Sequence, residues 1–379
     1  MTFGSCIMWT RIKVKKETRM SNGLEDVIAA DTRLSDVDGL AGRLIIRGHG
    51  LDELAGSWNC ERIAGLLFDG FFADLPDEAG LRHRLGNARV DVHARLAGLL
   101  PHLAACGAYD GLRAGVALLP DGDTLDDALR LIAAPAVLIP AIVRLRAGKA
   151  VLSPEAGLAH AADMARMLSG EISEPKAAAL ETYLATVCDH GLNASTFTTR
   201  VVASTGAGLT SSALAGLGAL KGPLHGGAPG PVIEMLDAIA AYGDARDWLT
   251  RHVEAGERIM GFGHRIYRVR DPRADALKAA VRRLAGSAGD ERLCFAEEVE
   301  RTALAVLRAL KPQRALQTNV EFYTALLLEA VGFPPEAFTG VFAAGRMVGW
   351  LAHAREQALT GRLIRPRSRY VGPQVDLAA

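Results

Sequence analysis

Apolar and polar residues alternate with the period of an α-helix over most of the chain. Apolar side chains recur at spacings of three and four in residues 157–168, 231–240 and 297–310, and over the longer span 337–359. The period of two that marks a strand is rare and is clearest in Arg43-Leu-Ile-Ile-Arg. The pattern therefore predicts a mainly α fold and disfavours a doubly wound α/β fold.

Prolines mark several of the predicted helix boundaries. Pro231 follows a glycine and suits the first position of a helix. The longest apolar run, residues 131–143, contains Pro135 and Pro140, which we expect to break it. Because the run is also well short of the ~20 residues of a membrane-spanning helix, we predict no transmembrane segment and no membrane partner.

Composition narrows the possible partners. The chain has 379 residues, 49% of them hydrophobic, which is enough for two domains or one large one with a sizeable core. Its 43 basic residues balance 43 acidic ones, so no overall field attracts nucleic acid. Any site for an anion must therefore be made by local arginines.

The cysteines indicate a reducing compartment. There are five, widely spaced and without any Cys-x-x-Cys pair, which argues against a disulfide framework and against a zinc ribbon. We therefore expect a cytoplasmic protein.

Residues 1–19 are basic but lack the apolar core of a signal peptide. We expect them to be disordered or to lie upstream of a true start at Met20. A mitochondrial presequence is the alternative, although the segment is poor in serine and contains Glu17.

Two histidines lie in glycine-rich turns, Lys221-Gly-Pro-Leu-His-Gly-Gly and Gly261-Phe-Gly-His. Glycine keeps side chains away and lets the backbone bring a small ligand close to the imidazole. Either histidine alone would suit an ordinary loop. The pair, His225 and His264, suggests acid–base chemistry on a small molecule.

Four motifs occur in the order that citrate synthases use: Asp189-His-Gly-Leu-Asn-Ala-Ser, Gly222-Pro-Leu-His-Gly-Gly, Gly261-Phe-Gly-His-Arg and Asp271-Pro-Arg-Ala. The chain resembles that family from about Gly23 to Gly372. The resemblance is weakest around residues 85–130, where the family's His-Pro-Met segment is not recognisable.

The resemblance implies a two-domain helical fold. Residues 20–226 and 333–379 would form a large domain, residues 227–332 a smaller inserted domain, and the active site would lie in the cleft between them. It also implies a homodimer.

The resemblance implies a role for each of three candidate catalytic residues. His225 would donate to the carbonyl of an acyl-CoA thioester, and His264 would donate to the ketone of oxaloacetate. The base would be Glu321 in Asn319-Val-Glu, where the family has aspartate. A carboxylate can remove a proton beside a thioester only if a donor stabilises the enol or enolate at the same time.

Further residues match the family's substrate ligands. His190, Arg273 and Arg346 would bind oxaloacetate, and Arg365 would reach the site of the partner subunit. Asn193 and Ser195 would orient neighbouring groups. His190 could instead be a core histidine satisfied by Asp189, and arginines are mostly solvated surface charges.

The acyl-CoA would lie along Gly261 and Gly263, with Arg268 or Arg270 on its phosphates. We therefore predict condensation of acetyl-CoA with oxaloacetate to give citrate and free CoA, with no metal and no permanently bound cofactor. Propionyl-CoA, and hence 2-methylcitrate synthesis, differs by one methyl group worth only ~1–3 kcal/mol of discrimination.

Other interpretations remain open. Because Glu321 adds a methylene, the protein could bind its ligands without turnover. Ala228-Pro-Gly also departs from the family's usual Ala-Asn-Glu, a change that spares His225 and bears on the shape of the acyl pocket. Cleavage of a citryl-type thioester would use the same groups. The three histidines match no short metal-binding motif. The small residues of 203–218 fit no nucleotide loop and favour close helix packing, within the chain or across a subunit interface.

Overall fold

The computed structural model describes Leu24 and residues 27–226, 229–264, 267, 269–286, 291–314 and 316–373. Arg268, residues 1–19 and the proposed domain boundary at residue 227 lie outside this range. Contacts divide the chain into a short unit that ends at Asp31 and a second unit from Thr32 onward. In the first unit the Val27 amide donates to the Leu24 carbonyl at 3.0 Å.

The described part of the second unit is mainly helical, as the sequence pattern predicts. Its three strands are β1 (Ser35–Asp38), β2 (Arg43–Ile46) and β3 (His49–Gly50). The helices are α1 (Leu51–Leu54), α2 (Cys60–Phe68), α3 (Glu78–Leu96), α4 (Leu100–Ala105), α5 (Ala108–Ala117), α6 (Leu125–Arg146), α7 (His160–Ser169), α8 (Glu174–Val187), α9 (Ala194–Ala203), α10 (Gly208–Leu220), α11 (Gly230–Tyr242), α12 (Ala245–Glu254), α13 (Pro272–Ala285), α14 (Glu291–Leu310), α15 (Val320–Val331) and α16 (Phe338–Thr360), with 3₁₀ turns at Ala97–Leu99 and Pro335–Ala337.

The strand predicted from Arg43-Leu-Ile-Ile is confirmed as the middle strand of a small antiparallel sheet. β2 pairs with β1, Ser35 opposite Ile46, and with β3. Leu44 and Ile46 are buried on one face, which accounts for the alternating pattern. Arg47 then takes a positive φ of 51°, which ends the strand in a turn.

α6 runs unbroken through Pro135 and Pro140, so the expectation that these prolines end it is wrong. A capping box between Thr124 and Asp127 fixes its start. The helix packs against α3, α4, α5, α7 and α16, and both prolines are buried. Burial of this apolar helix on several sides offsets the hydrogen bonds that its prolines remove.

Among the described helices, α6 is long and apolar enough to cross a membrane by length and composition. The bent pair formed by α15 and residues 335–360 passes the same test only if it is taken as one span with a 116° bend. In α6, 78% of the apolar window is buried within the protein, and the core helix of a globular protein passes the same test.

The small residues of α10 serve close packing within the chain. A Cβ on Gly216 would lie 2.6 Å from Thr199 Oγ1 in α9 and 2.9 Å from the Trp350 ring in α16. Only glycine fits between these neighbours. The intramolecular half of the helix-packing prediction is therefore confirmed.

Two glycines of α16 let the segment after α8 lie against that helix. A Cβ on Gly345 would meet Val187 Cγ2 at 2.4 Å. A Cβ on Gly349 would lie 2.2 Å from the carbonyl oxygen of Cys188 and 3.2 Å from the Cβ of Asp189. Because these two positions of α16 have no side chain, the backbone that leads into His190 can pack directly against the helix.

We expect Gly349→Ala to lower the free energy of unfolding by about 1–3 kcal/mol, because the new methyl group must displace backbone. Urea unfolding of the purified variant measures this. Gly98→Ala is the matched control, since a Cβ there meets nothing within 4 Å. A Gly349→Ala variant as stable as the Gly98→Ala variant would contradict the packing described above.

Candidate active site

Three helix N-termini carry several of the predicted site residues. The side chains of Asn193, Asp271 and Asn319 cap α9, α13 and α15. Each cap lies two residues before a candidate: Ser195, Arg273 and Glu321, respectively. Helix N-termini favour negative charge, so these positions suit anionic ligands and ionised carboxylates.

The Gly261–Gly263 turn is fastened to the start of α15. Phe262 forms a bridge with Thr318, and the Gly263 amide donates to the Gln317 carbonyl at 2.7 Å. Asn319 donates from Nδ2 to the Gly263 carbonyl at 2.8 Å. Gly261 and Gly263 have φ of 81° and 83°, a region that disfavours side chains. This arrangement fixes the loop of His264 relative to the helix of Glu321.

His264 is a neutral donor. Burial first, and the charge of Arg273 second, lower its pKa to about 4. Its Nδ1 accepts the backbone N–H of Tyr267 at 2.9 Å, so the ring proton belongs on Nε2. Nε2 faces Arg273 NH2 at 3.2 Å. Both groups are donors, and an oxygen atom placed beside them could accept from both.

Arg273 is buried and held by Asp271. The carboxylate accepts from Arg273 Nε at 3.0 Å and from NH2 at 2.8 Å, and from the Val320 amide at 3.2 Å. Burial alone would lower the pKa of Arg273, but Asp271 raises it above its usual value. Asp271 therefore joins the starts of α13 and α15 and fixes one charged group of the site.

His190 contacts Tyr267. Its Nε2 lies 3.1 Å from the Tyr267 hydroxyl, and its ring centroid lies 5.9 Å from that of His264. Burial first, then Arg273 and Arg346, hold the pKa of His190 well below its usual value, so the ring is neutral. The interpretation of His190 as a core histidine satisfied by Asp189 receives no support from these contacts.

Asp189 has other partners. Its Oδ2 accepts from Ser35 Oγ at 2.5 Å and from His353 Nε2 at 3.2 Å. His353 Nδ1 accepts in turn from Arg200 NH1 at 3.0 Å, which places the ring proton on Nε2. This buried network joins β1, α9 and α16 to the backbone beside His190.

His225 lies against Ser195. Its Nε2 is 2.7 Å from Ser195 Oγ, and that hydroxyl donates to Asn193 Oδ1 at 2.7 Å and accepts from Trp350 Nε1 at 3.1 Å. Burial, followed by the charge of Arg346, lowers the pKa of His225 to about 4, so this ring is neutral as well. Its edge faces Phe342, with the ring centroids 6.3 Å apart.

Arg346 is a buried cation whose Nε donates to the Val187 carbonyl at 2.6 Å. Its guanidinium lies over the Phe342 ring, 5.0 Å from the centroid. Among the described residues it forms no ion pair with a carboxylate, and burial lowers its pKa to about 10. An anionic ligand bound beside this buried guanidinium would compensate its charge and would be bound strongly.

Glu321 is the second residue of α15, with its amide bonded to Asn319 Oδ1 at 3.0 Å. Burial raises the pKa of its carboxyl to about 7. The positive charge of Arg273 lowers this pKa, and the negative charge of Asp271 raises it further. A carboxylate with that pKa is a stronger base than an exposed one and is substantially ionised at neutral pH.

The structure thus brings His190, His264 and Arg273 into one cluster, with Tyr267 between them. Phe342 links His225 to Arg346. Arg365 lies elsewhere, in the extended segment after α16, where its side chain is exposed. Arg270, a candidate phosphate ligand, instead pairs with Asp275 at 2.5 Å and Glu300 at 3.3 Å.

Sequence reasoning assigned no role to Tyr267, Trp350 or Phe342. Tyr267 stands three residues after His264, and Trp350 four residues after Arg346. Proximity to a motif could have flagged both. Phe342 precedes Arg346 by one helical turn and had no distinguishing signal.

Within the described residues no group of three or more His, Cys, Asp or Glu side chains is placed to hold a metal ion. The site instead holds three neutral imidazoles and two arginines, with one carboxylate of raised pKa. This set suits the class of enzyme that removes a proton from carbon and stabilises the resulting oxyanion beside a bound anion.

Comparisons with known proteins agree with that class. A family model described as "Citrate synthase, C-terminal domain" matches residues 23–367. A citrate synthase of Haloferax volcanii is 35% identical over 93% of this chain and 96% of its own. A 2-methylcitrate synthase of Mycobacterium tuberculosis is 32% identical over 95% and 92%.

The fold agrees too. The crystal structure of citrate synthase from Thermotoga maritima superimposes with a TM-score of 0.82 at 32% identity, covering 95% of this chain and 98% of that one. The chain belongs to the citrate synthase family. It is an acyltransferase of the citrate synthase type.

Proposed function

We propose that this enzyme condenses acetyl-CoA with oxaloacetate to give citrate and free CoA. The observation that carries the proposal is the pair His264 Nε2 and Arg273 NH2, two donors 3.2 Å apart beside His190. A ketone oxygen with a neighbouring carboxylate, as in a 2-oxo acid, would accept from both. The citrate synthases among its relatives supply the choice of substrates.

In this proposal Glu321 removes a proton from the methyl carbon of the acetyl thioester. His225 donates to the thioester oxygen, so the product is an enol or enolate and not a free carbanion. The Ser195 hydroxyl donates to Asn193 Oδ1 at 2.7 Å, and in the proposed step it turns to donate to His225 Nε2, which lies at the same distance of 2.7 Å. That leaves the ring proton of His225 on Nδ1, available to the thioester.

The enol carbon then attacks the ketone carbon of oxaloacetate, while His264 stabilises the charge that develops on the ketone oxygen. His190, Arg273 and Arg346 hold the two carboxylates. Water hydrolyses the citryl thioester, so one thiol is released for each citrate formed. Every group in this sequence acts as a donor, a base or a counter-charge, and the proposal includes no metal and no permanently bound cofactor.

The site draws on both parts of the proposed domain division. His190 and Arg346 belong to residues 20–226 and 333–379, the proposed large domain. His264 and Glu321 belong to residues 227–332, the proposed small domain. The two sets already meet, since the ring centroids of His190 and His264 lie 5.9 Å apart, and closure of the cleft around the substrates would exclude water. Acyl-CoA would lie along the Gly261–Gly263 turn, with Arg268 near its phosphates.

A thiol-release assay with purified enzyme and oxaloacetate tests the proposal. We expect acetyl-CoA to react with a higher kcat/KM than propionyl-CoA. Preference for propionyl-CoA would instead make the enzyme a 2-methylcitrate synthase. Release of no thiol with either donor, in protein that binds oxaloacetate, would favour a binding protein without turnover.

We further propose a homodimer whose segment after α16 completes the neighbouring site. This segment, residues 361–373, has no helix or strand, and Arg365 is exposed. Leu363, Tyr370 and Val371 are 59%, 69% and 82% exposed. Apolar side chains held out in this way suit burial against a second copy of the chain.

Mixed dimers test this sharing of sites. Chains with His225→Ala and chains with Arg365→Ala should each be inactive alone. In a mixed dimer one site regains both groups, so equimolar exchange should restore about a quarter of parental activity, since half the dimers are mixed and one of their two sites works.

Arg369→Ala, in the same exposed segment, is the control and should stay active on its own. If Arg365 served its own subunit, mixing would restore nothing, because one site would lack His225 and the other Arg365. Inactivity of the mixture after confirmed subunit exchange would therefore exclude shared sites.

The proposed location is the cytoplasm. Cys60, Cys106, Cys188 and Cys294 are free thiols in the structure. Free thiols are typical of reducing compartments.

A further inference from the structure

Tyr267 lies at the centre of the histidine cluster. Its side chain is 2% exposed. Its ring centroid is 4.8 Å from that of His264 and 5.6 Å from that of His190, and the Arg273 guanidinium lies 5.7 Å above the ring. No role has so far been given to this residue, although it contacts three of the proposed oxaloacetate ligands.

Its two polar groups reach different histidines. The backbone N–H donates to His264 Nδ1 at 2.9 Å, and the hydroxyl lies 3.1 Å from His190 Nε2. The Tyr267 N–H at Nδ1 and the Arg273 guanidinium at Nε2 can each only donate, and the shorter contact, 2.9 Å at Nδ1 against 3.2 Å at Nε2, leaves Nδ1 unprotonated and places the proton on Nε2.

At His190 the direction follows from the acidity of the two groups. Burial raises the pKa of Tyr267 to about 12, so the hydroxyl keeps its proton. His190 is neutral, because burial holds its pKa well below the usual value. Of the two groups in contact at 3.1 Å, the phenol O–H is the more acidic and so the better donor, and a neutral imidazole is the better acceptor, so the hydroxyl donates to Nε2 and the ring proton lies on Nδ1.

We propose that Tyr267 is a positioning residue that sets the ring proton of both histidines: its hydroxyl holds His190 in the Nδ1–H form and its backbone N–H holds His264 in the Nε2–H form. The functional consequence rests on the proposed function above, in which these two N–H groups are the donors to oxaloacetate. Without the hydroxyl, His190 would exchange between tautomers and present a lone pair to the bound carboxylate part of the time.

Tyr267→Phe separates the two effects, because it removes the hydroxyl and keeps both the ring and the backbone N–H. One neutral hydrogen bond is worth about 0.5–1.5 kcal/mol, so we expect the KM for oxaloacetate to rise roughly 3- to 10-fold. The kcat should change by less than about twofold, since His264 keeps its tautomer.

Solid-state ¹⁵N NMR of full-length enzyme with labelled histidine reads the tautomers directly. His190→Gln and His264→Gln identify the two sets of signals by their loss. The parent should show an unprotonated Nε2 in His190 and an unprotonated Nδ1 in His264. In Tyr267→Phe the His190 nitrogens should move toward averaged values, while those of His264 stay unchanged.

Tyr109→Phe is the matched control. It also removes a tyrosine hydroxyl bond, 2.7 Å to the Leu217 carbonyl, but one far along the chain from both histidines. It should leave the KM and both histidine spectra unchanged. A merely structural effect of losing a hydroxyl would appear in both variants.

A parent spectrum with the His190 proton on Nε2 would overturn the inference without any substitution. So would Tyr267→Phe with unchanged KM and unchanged His190 signals. The proposed function fails separately, if His190→Gln and His264→Gln retain normal kinetics. If the two histidine variants lost activity while Tyr267→Phe kept the parent's kinetics and His190 signals, only the role of Tyr267 would be refuted.

Discussion

Glu321→Gln is expected to lower kcat/KM for acetyl-CoA by ~10²–10⁴-fold while leaving oxaloacetate binding intact. The amide keeps the shape of the side chain and removes its basicity. Measurement of thiol release together with oxaloacetate affinity separates the two effects. If Glu321→Gln turned over acetyl-CoA like the parent, another group would be the base and the proposed mechanism would be wrong.

Glu321→Asp tests whether the longer side chain is built into the site. The start of α15 is pinned to the Gly261–Gly263 turn by Asn319, whose amide donates to the Gly261 carbonyl at 2.9 Å. The backbone therefore cannot advance to compensate, and the carboxylate would retreat by about 1 Å, which costs roughly 100-fold in rate. A faster aspartate variant would show that the family's usual spacing is optimal here too.

The raised pKa of Glu321 also predicts how stability varies with pH. Because its folded-state value, about 7, exceeds the usual 4.5, the stability it contributes is complete below pH 4.5 and is lost as pH rises through 7. Glu321→Gln cannot ionise. It should be more stable than the parent at pH 8 by on the order of 2 kcal/mol, allowing for partial exposure, and equal to it near pH 4.5.

Urea unfolding at both pH values measures this difference. Activity should follow the same ionisation, so the parent's kcat/KM should rise with pH through about 7. If the difference in free energy of unfolding between Glu321→Gln and the parent did not change with pH, the Glu321 carboxyl would have an ordinary pKa in the folded protein.

His264→Ala and His225→Ala are the second pair of changes with large expected effects. Each removes a hydrogen bond that strengthens as charge develops, so kcat should fall by ~10²–10⁴-fold in each variant. Circular dichroism and urea unfolding would establish that the variants fold.

The two variants should differ in substrate binding. His264→Ala should also raise the KM for oxaloacetate, whereas His225→Ala should leave oxaloacetate binding unchanged, because His225 lies with Ser195 and Phe342 and not in the His190 cluster. Near-normal turnover in either folded variant would remove that residue from the mechanism.

The helical pattern was a good guide to which segments are helices and a poor guide to where they end. α14 begins at Glu291, earlier than the predicted 297, and α7 begins at His160, later than 157. Periodicity reports the buried face, while ends depend on caps and on neighbouring segments. The continuity of α6 through its prolines depended on its burial by several other helices.

Ordered motifs in the sequence determined the family, and with it the candidate catalytic and substrate-binding residues, because acid–base chemistry needs those residue types in those turns. The sequence could not place protons or set ionisation. The tautomers of His190 and His264 depend on one tyrosine, and the raised pKa of Glu321 on burial with Arg273 and Asp271. Such effects are decided by distance and desolvation among residues far apart in the chain, so only the tertiary structure fixes them.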